Sequence, residues 1–361
     1  MTNPLAHDLD HVLAHSQGVW EELAGARVFV TGGTGFFGCW LLESFAWACD
    51  HLQLDASMTV LTRSRAAFQA KAPHLASHPG IRLVEGDVRS FEFPEGGFSH
   101  VIHAATEASA ALNREDPLAM LDTIVEGTRR VLDFSVNCGA RAFLLTSSGA
   151  VYGRQPSSLS HVPESYAGTP DTMNPQSAYA EGKRVAELLC AIYAGKHDLK
   201  TKIARCFAFT GPYLPLDAHF AAGNFIQDQL RGGPIQVNGD GSPLRSYLYA
   251  ADLAIWLWTM MFRGKSGAAY NVGSSRAVSI VELARQVVEV AGGNIRIQIG
   301  KSTPPGAPRS RYVPAVERAQ NELGLCQWIS LEEGLRRMYR WQMHPSRWHS
   351  MLDEPMKVGA L

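Results

Sequence analysis

The sequence is poor in charge. Asp, Glu, Lys and Arg make up 19% of its 361 residues, and 33 basic against 34 acidic side chains leave a formal net charge of −1. Without a basic excess, a nucleic-acid polymer is not an expected partner. Long apolar runs are also missing. The longest candidate, Leu253 to Phe262, covers 10 residues, against the roughly 20 that a spanning helix needs. It reads as a buried helix, and no membrane partner is expected. Met1 to Asp10 has neither the basic cluster nor the apolar core of a secretory leader, so the expected compartment is the cytoplasm. The cysteines, Cys39, Cys49, Cys138, Cys190, Cys206 and Cys326, form no CxxC pair. That spacing predicts no zinc or other metal site and reads as reduced, buried thiols.

Apolar residues are plentiful at 46%, and glycines number 33. The apolar share is enough for a core and excludes a disordered chain. The length exceeds a usual domain of about 100–150 residues, so two domains or one large α/β unit is expected. Residues 5–24 read as one amphipathic helix with Leu5, Leu9, Val12 and Leu13 on one side. Strand patterns follow at Arg27–Thr31, Met58–Thr62, Ile81–Val84, Val101–Ala105 and Ala142–Thr146. Helical patterns lie between and after them, at Cys39–Ala48, Pro117–Asn137 and Tyr179–Tyr193. Such alternation predicts a parallel sheet covered on both faces. Ser302–Pro308 reads as a surface loop, and Leu331–Trp341 returns to helical spacing.

Gly32, Gly35 and Gly38 fall between the first strand and the first long helix. Without Cβ atoms the backbone turns tightly and approaches a pyrophosphate, which the helix N-terminus then receives on its N–H groups. After the second strand, a carboxylate would bond the ribose 2′-hydroxyl of NAD. None stands there; the run is Thr62-Arg63-Ser64-Arg65. Arg63 suits a 2′-phosphate, so NADP is slightly favoured over NAD. Asp87, after the third strand, is a candidate acceptor for the adenine amino group.

Tyr179 and Lys183 stand four apart, on one face of a helix. An ammonium near a phenol favours the phenolate, so Tyr179 is expected to have a lowered pKa and to exchange a proton with a carbinol or carbonyl. Ser148 ends the fifth strand, at the carboxyl edge of the sheet where ligands bind. Its hydroxyl suits the reacting oxygen, with Ser147 as the alternative.

Together these residues resemble the extended short-chain dehydrogenase/reductase family, in its nucleotide-sugar epimerase and dehydratase branch. The resemblance covers about residues 26–341. It rests on TGGTGFFG (31–38), GDV (86–88), HAA (103–105), TSSGAVYG (146–153), YAEGK (179–183), GP (211–212), GNFI (223–226), RSYLYAADLA (245–254), YNVGS (270–274) and ELG (322–324). It implies an α/β fold: a Rossmann-type doubly wound parallel sheet with a smaller C-terminal substrate-binding domain. The expected division is 1–25 as a helical extension, 26–210 as the dinucleotide domain, and 211–361 as the substrate domain, with part of 240–275 returning to the sheet. The extension is expected to cap the sheet edge or extend a dimer contact. Ser148, Tyr179 and Lys183 look like the family's triad. Gly32, Thr34, Gly35, Phe36, Phe37, Gly38, Arg63, Asp87, Val88, Ala104, Ala105, Tyr179 and Lys183 are the implied NAD(P) contacts. Asn224, Arg245 and Arg309 or Arg311, with Ser148, are the implied contacts to a nucleotide-diphosphate sugar. A homodimer through a four-helix bundle is also implied.

Departures from the family narrow the reaction. Its 4,6-dehydratases usually carry Asp-Glu just after the serine, and its decarboxylases a Glu; this chain has Gly149-Ala150. Dehydration and decarboxylation are therefore disfavoured unless Glu107 or Glu164 supplies the carboxylate. Amides usual near the sugar are replaced by Ile124 and Ala208, and the aspartate after the arginine-bearing loop by Ala315. The leading expectation is an NDP-hexose 4-epimerase. An NADPH-dependent 4-keto-sugar reductase is second, a 4,6-dehydratase third, and a silent cofactor-binding scaffold the non-enzyme alternative.

Overall fold

The computed structural model describes residues 3–16, 18–106, 109–218, 220–300 and 309–344. Its centre is a sheet of β1 (Arg27–Thr31), β2 (Ser57–Thr62), β3 (Ile81–Glu85), β4 (His100–His103), β5 (Ala142–Ser148), β6 (Lys200–Cys206) and β7 (Ala268–Val272). The spatial order is β7-β6-β5-β4-β1-β2-β3, with every neighbouring pair parallel. This is the expected doubly wound Rossmann-type arrangement. The chain winds outward from β1 to β3 and then crosses to β4 on the other side. The crevice at that reversal, outside the carboxyl ends of the strands, is where this architecture binds ligands.

Strand alternation sorts the core into two faces. Val28, Val30, Ile102 and Leu144 pack with α3 (Phe36–Leu52) and α7 (Ala250–Arg263). Phe29, Val101, Phe143 and Leu145 pack with α4 (Pro117–Asn137) and α5 (Ala178–Lys196). Each such fully buried large side chain contributes about 1.5–3 kcal/mol. Local signals fix the helix starts: Asp116 accepts the Ala119 N–H ahead of Pro117 at the first position of α4. A second core around Phe225, Ile226, Leu283, Val287, Leu335 and Met338 joins α6 (Ala221–Leu230), α8 (Ile280–Val290) and α9 (Leu331–Gln342). Beside it a small sheet pairs Leu244–Arg245 with Val278–Ser279 and Arg311–Tyr312.

Three expectations are corrected. The single helix over 5–24 is two, α1 (Ala6–His15) and α2 (Val19–Leu23), broken at Gly18 with φ +77°. They neither cap the sheet edge nor lie along α4 and α5. Leu5, Leu9, Val12, Val19, Trp20 and Leu23 belong to the core of α3 and α7 and form a third layer over it. That outer cover explains why Leu253–Phe262 is apolar all round. Asp8 accepts the Tyr249 hydroxyl at 2.6 Å and pairs with Arg337 of α9, and His11 Nε2 lies 3.1 Å from the Asp252 carboxylate. The strand ends also move. β4 stops at His103 because its partner β1 ends at Thr31 and Gly32 turns away, whereas β5 runs on to Ser148 against Cys206. The cysteines are not uniformly buried: Cys326 is exposed, Cys49 and Cys138 are half-buried, and none is in a disulfide. Residues 302–308 lie outside the described residues. Among the described residues no helix is long and apolar enough to cross a membrane.

Candidate active site

The glycine loop leaves β1 and enters α3, as the sequence requires, but its glycines do different work. Gly32 has φ +72°, and a Cβ there would overlap the backbone of Ala104. Gly38 presses on Gly33, so it sets how closely α3 approaches the loop. Gly35 is exposed, and a Cβ on it would meet only Gly32 O, at 3.3 Å. Gly35 is therefore the position whose bareness leaves room for a ligand, ahead of the N–H groups of Phe36, Phe37 and Gly38. Two groups brace the loop. Lys71 Nζ donates to Thr34 O at 2.8 Å, and Ala105 N–H donates to Thr31 Oγ1 at 3.3 Å. The residues present fit a dinucleotide.

Arg63 is exposed just beyond β2. Asp87 takes a two-pronged contact from Arg89, at 2.9 and 3.1 Å. Those bonds hold its carboxyl below the usual range, with Arg63 a smaller contributor. Val88 packs against Gly127.

α5 carries the reactive face. Its start is held by the Tyr179 N–H, which donates to Asn113 Oδ1 at 3.0 Å. Burial pushes the Tyr179 phenol up rather than down, with the Ser148 hydroxyl a smaller opposing influence. This overturns the expectation of a phenol lowered by its lysine. Lys183 Nζ is spent on Thr146 O at 2.7 Å and Thr106 Oγ1 at 2.9 Å, and its own burial pulls it down to about 8. The two serines also separate. Ser147 Oγ donates to Glu187 at 2.5 Å, whereas Ser148 Oγ accepts the Ala150 N–H at 3.1 Å.

Glu187 continues the Tyr179–Lys183 spacing by another four residues. Arg205 of β6 meets its carboxylate at 2.7 Å and donates to the Tyr152 hydroxyl at 2.9 Å. Tyr152 in turn donates to Asn271 Oδ1 at 2.8 Å. Sequence reasoning missed this network, though the spacing of four was its signal. Glu164, one of the two carboxylates considered for elimination, accepts the Asn271 N–H at 2.9 Å. Glu107, the other, lies outside the described residues.

On the substrate side, Arg245 is half-buried and stands over the Tyr312 ring at 6.0 Å. Asn224 is half-buried on the first turn of α6. Arg309 is exposed and acts weakly on the Glu282 carboxylate, while Arg311 donates to Ser160 O at 3.2 Å. Tyr312 was not foreseen. Its hydroxyl lies 3.5 Å from Ser148 Oγ, and its ring lies tilted against Phe207 with centroids 4.5 Å apart. A Cβ at Gly149 would meet Phe207 at 2.6 Å and the Tyr312 hydroxyl at 2.7 Å. The space for a side chain after the serine is filled from elsewhere.

A family model for the NAD dependent epimerase/dehydratase family matches residues 28–273. The chain belongs to that family. Its members among curated proteins include UDP-glucuronic acid decarboxylase 6 of Arabidopsis thaliana, 33% identical over 313 residues, covering 86% of each chain. UDP-glucuronic acid decarboxylase 1 of Xenopus tropicalis is 29% identical over 312 residues, covering 86% of this chain and 70% of that one. Among solved structures, a dTDP-glucose 4,6-dehydratase of Streptomyces venezuelae with NAD bound superposes with a TM-score of 0.75 at 25% identity. It covers 89% of this chain and 98% of its own. UDP-glucose 4-epimerase of Thermotoga maritima has the same fold, with a TM-score of 0.72 at 21% identity over 88% of this chain and 98% of its own. The chain is thus an enzyme of this family.

Proposed function

We propose that the enzyme oxidises C4 of a nucleotide-diphosphate sugar by hydride transfer to a bound nicotinamide, and that its net reaction is 4-epimerisation. The observation that carries this reading is the closed space at Gly149. Phenols and a serine hydroxyl surround the proposed reaction point, and no side chain follows the serine. That set suits moving a proton on and off one oxygen better than expelling water.

Tyr179 takes the proton from the C4 hydroxyl, and Ser148 holds the same oxygen. Lys183, fixed by Thr146 and Thr106, orients the ribose side of the cofactor. Oxidised nicotinamide, when bound, supplies the hydride acceptor and a positive charge that favours the phenolate. Asn224 and Arg245 anchor the diphosphate, with Arg309 at the rim, and the loss of amides at Ile124 and Ala208 leaves fewer groups to hold the sugar as it turns. Gly32, Thr34, Gly35, Phe36, Phe37 and Gly38 hold the cofactor pyrophosphate; Asp87, Val88, Ala104 and Ala105 line its adenine and nicotinamide sides. Arg63 supports NADP, whereas the relatives solved with NAD support NAD.

A second reading is decarboxylation of a nucleotide uronic acid, favoured by the decarboxylases among the relatives and opposed by Gly149-Ala150. It needs the same first step, because a ketone at C4 is β to the C6 carboxylate and promotes its loss. One assay separates the readings. Purified enzyme is given UDP-, dTDP-, CDP- and GDP-hexoses and UDP-glucuronate, with and without NADPH. A C4 epimer without net change in nicotinamide absorbance is the expected outcome. Carbon dioxide release identifies a decarboxylase, and stoichiometric NADPH oxidation with a 4-keto sugar a reductase. Tyr179→Phe should lower kcat by about a hundredfold or more while cofactor binding persists. Retained turnover would remove Tyr179 from the chemistry.

A further inference from the structure

Among the described residues, two that are not glycine have a positive φ. Gln53, at +51°, closes α3, a usual place for it. Tyr213, at +69°, lies between β6 and α6, in the run Gly211-Pro212-Tyr213-Leu214 that leads into the second core. The left-handed region sets the Cβ of an L residue against a backbone carbonyl. A tyrosine stays there only where its surroundings hold it.

The holding groups are on α3. The Tyr213 hydroxyl donates to Glu43 Oε1 at 2.5 Å, and Trp40 Nε1 donates to Pro212 O at 2.9 Å. Trp40 and Glu43 are three apart and so share a helix face. Glu43 is 2% exposed; its other side-chain contacts are His74 Nε2 at 2.8 Å and Asn3 Nδ2 at 3.1 Å. A buried carboxylate makes this phenol a strong donor to keep and a costly one to lose. Lys71, which braces Thr34 O in the glycine loop, also stands over the Tyr213 ring at 5.7 Å. On the far side the turn supports α6. A Cβ on Gly223 would come within 2.3 Å of Pro215 O, so the first turn of α6 rests on the backbone two residues past Tyr213. Asn224 is the next residue of that turn, and Leu214 shares a core with Phe225 and Ile226.

We propose that Tyr213 is a positioning residue that registers α6 against α3: latched to Glu43, it fixes the height of Asn224 relative to the glycine loop. One helix then carries the cofactor end of the site and sets the substrate end. Hydride transfer needs its two partners held in one geometry, and this latch ties their anchors together. The consequence for turnover rests on the functional reading above, whereas the link between α3 and α6 is a property of the protein.

The test is hydrogen exchange read by mass spectrometry on the full chain, with and without saturating oxidised nicotinamide cofactor. In the wild type the cofactor should slow exchange over 36–45, and through the latch it should also slow 221–230 by about fivefold or more. Tyr213→Phe keeps the ring and removes the donor. It should keep the slowing over 36–45 and lose that over 221–230. Tyr213→Gly keeps the turn without its steric cost but removes the latch, and should lose the same gain. A merely structural tyrosine would speed exchange equally with and without cofactor and leave the difference intact. No cofactor-dependent slowing over 221–230 in the wild type overturns the proposal, as does its persistence in Tyr213→Phe. Its persistence in Tyr213→Gly assigns the register to the turn's backbone and overturns it too. The readout needs no sugar substrate: if no nucleotide sugar reacts with the wild-type enzyme, the functional reading fails while the link is still decided.

Discussion

At the scale of single residues, the site depends on side chains that never meet a ligand. Glu187 is one. Its carboxylate gathers Ser147 and Arg205 beneath the end of β5, with side-chain exposures of 12% for Glu187 and 17% for Arg205. Removing one member of such a pair leaves the other charge buried without its partner. Glu187→Ala should therefore cost about 3–5 kcal/mol, read from the shift of the urea midpoint at constant slope. Replacing both, as Glu187→Leu with Arg205→Met, should recover most of that loss. A double variant as unstable as the single one would show that the pair itself, not the stranded charge, carries the stability. The residues proposed to meet ligands were placeable because motif spacing reports them: the glycine loop follows β1, Ser148 ends β5, and Tyr179 and Lys183 share α5. Tyr312 and the contacts of Lys183 were not, because they are set by tertiary approach between segments up to 164 residues apart. The direction of the Tyr179 shift failed for a related reason. The i, i+4 rule places two side chains on a face but says nothing of burial.

At the scale of elements, α5 has two occupied faces and one without a partner among the described residues. Tyr179, Lys183 and Glu187 look to the site, and Ala186, Leu189 and Cys190 pack into the core with α4. Val185, Leu188 and Ile192 remain exposed, Leu188 to 59%. Their spacing of three and seven puts them on one stripe. We propose that this stripe forms the homodimer contact implied by the resemblance, with α4 and α5 of each copy as its four helices. Leu188→Asp should convert a dimer to a monomer at micromolar concentration, as sedimentation would register; an unchanged mass would exclude α5 as the interface. Helix and strand identity in this region was readable from period alone, since α4 keeps the expected bounds, Pro117–Asn137. The N-terminal break was not, because Gly18 costs little within a helical pattern. Its left-handed φ and close approach to the Arg263 guanidinium settle it only in three dimensions.

At the scale of the whole molecule, two buried histidines couple the fold to acidity. His103 lies between Thr31 Oγ1 at 2.6 Å and Thr128 Oγ1 at 3.1 Å. Burial, and then the Lys183 charge, pull it down to about 3. His100 is pulled down to about 4 by burial, then by Arg141 and Lys202. Unfolded histidines titrate near 6.5, so below that pH the unfolded chain binds more protons, and stability falls as pH drops toward 4 and 3. Between pH 7 and 5 each should remove up to about 2 kcal/mol. Urea titrations at the two values measure it, and His103→Asn should flatten the dependence; an equally steep one would assign it to other groups. The Asp8 carboxylate, bonded to Tyr249 and Arg337, has a temporal consequence as well. During synthesis α1 emerges well before α7 and α9. Its apolar stripe of Leu5, Leu9 and Val12 must wait in solvent while the 241 positions on to Tyr249 are made. Closure across 329 positions is thus a late event, and a segment that leaves the ribosome well ahead of its partners is among the last to find its place.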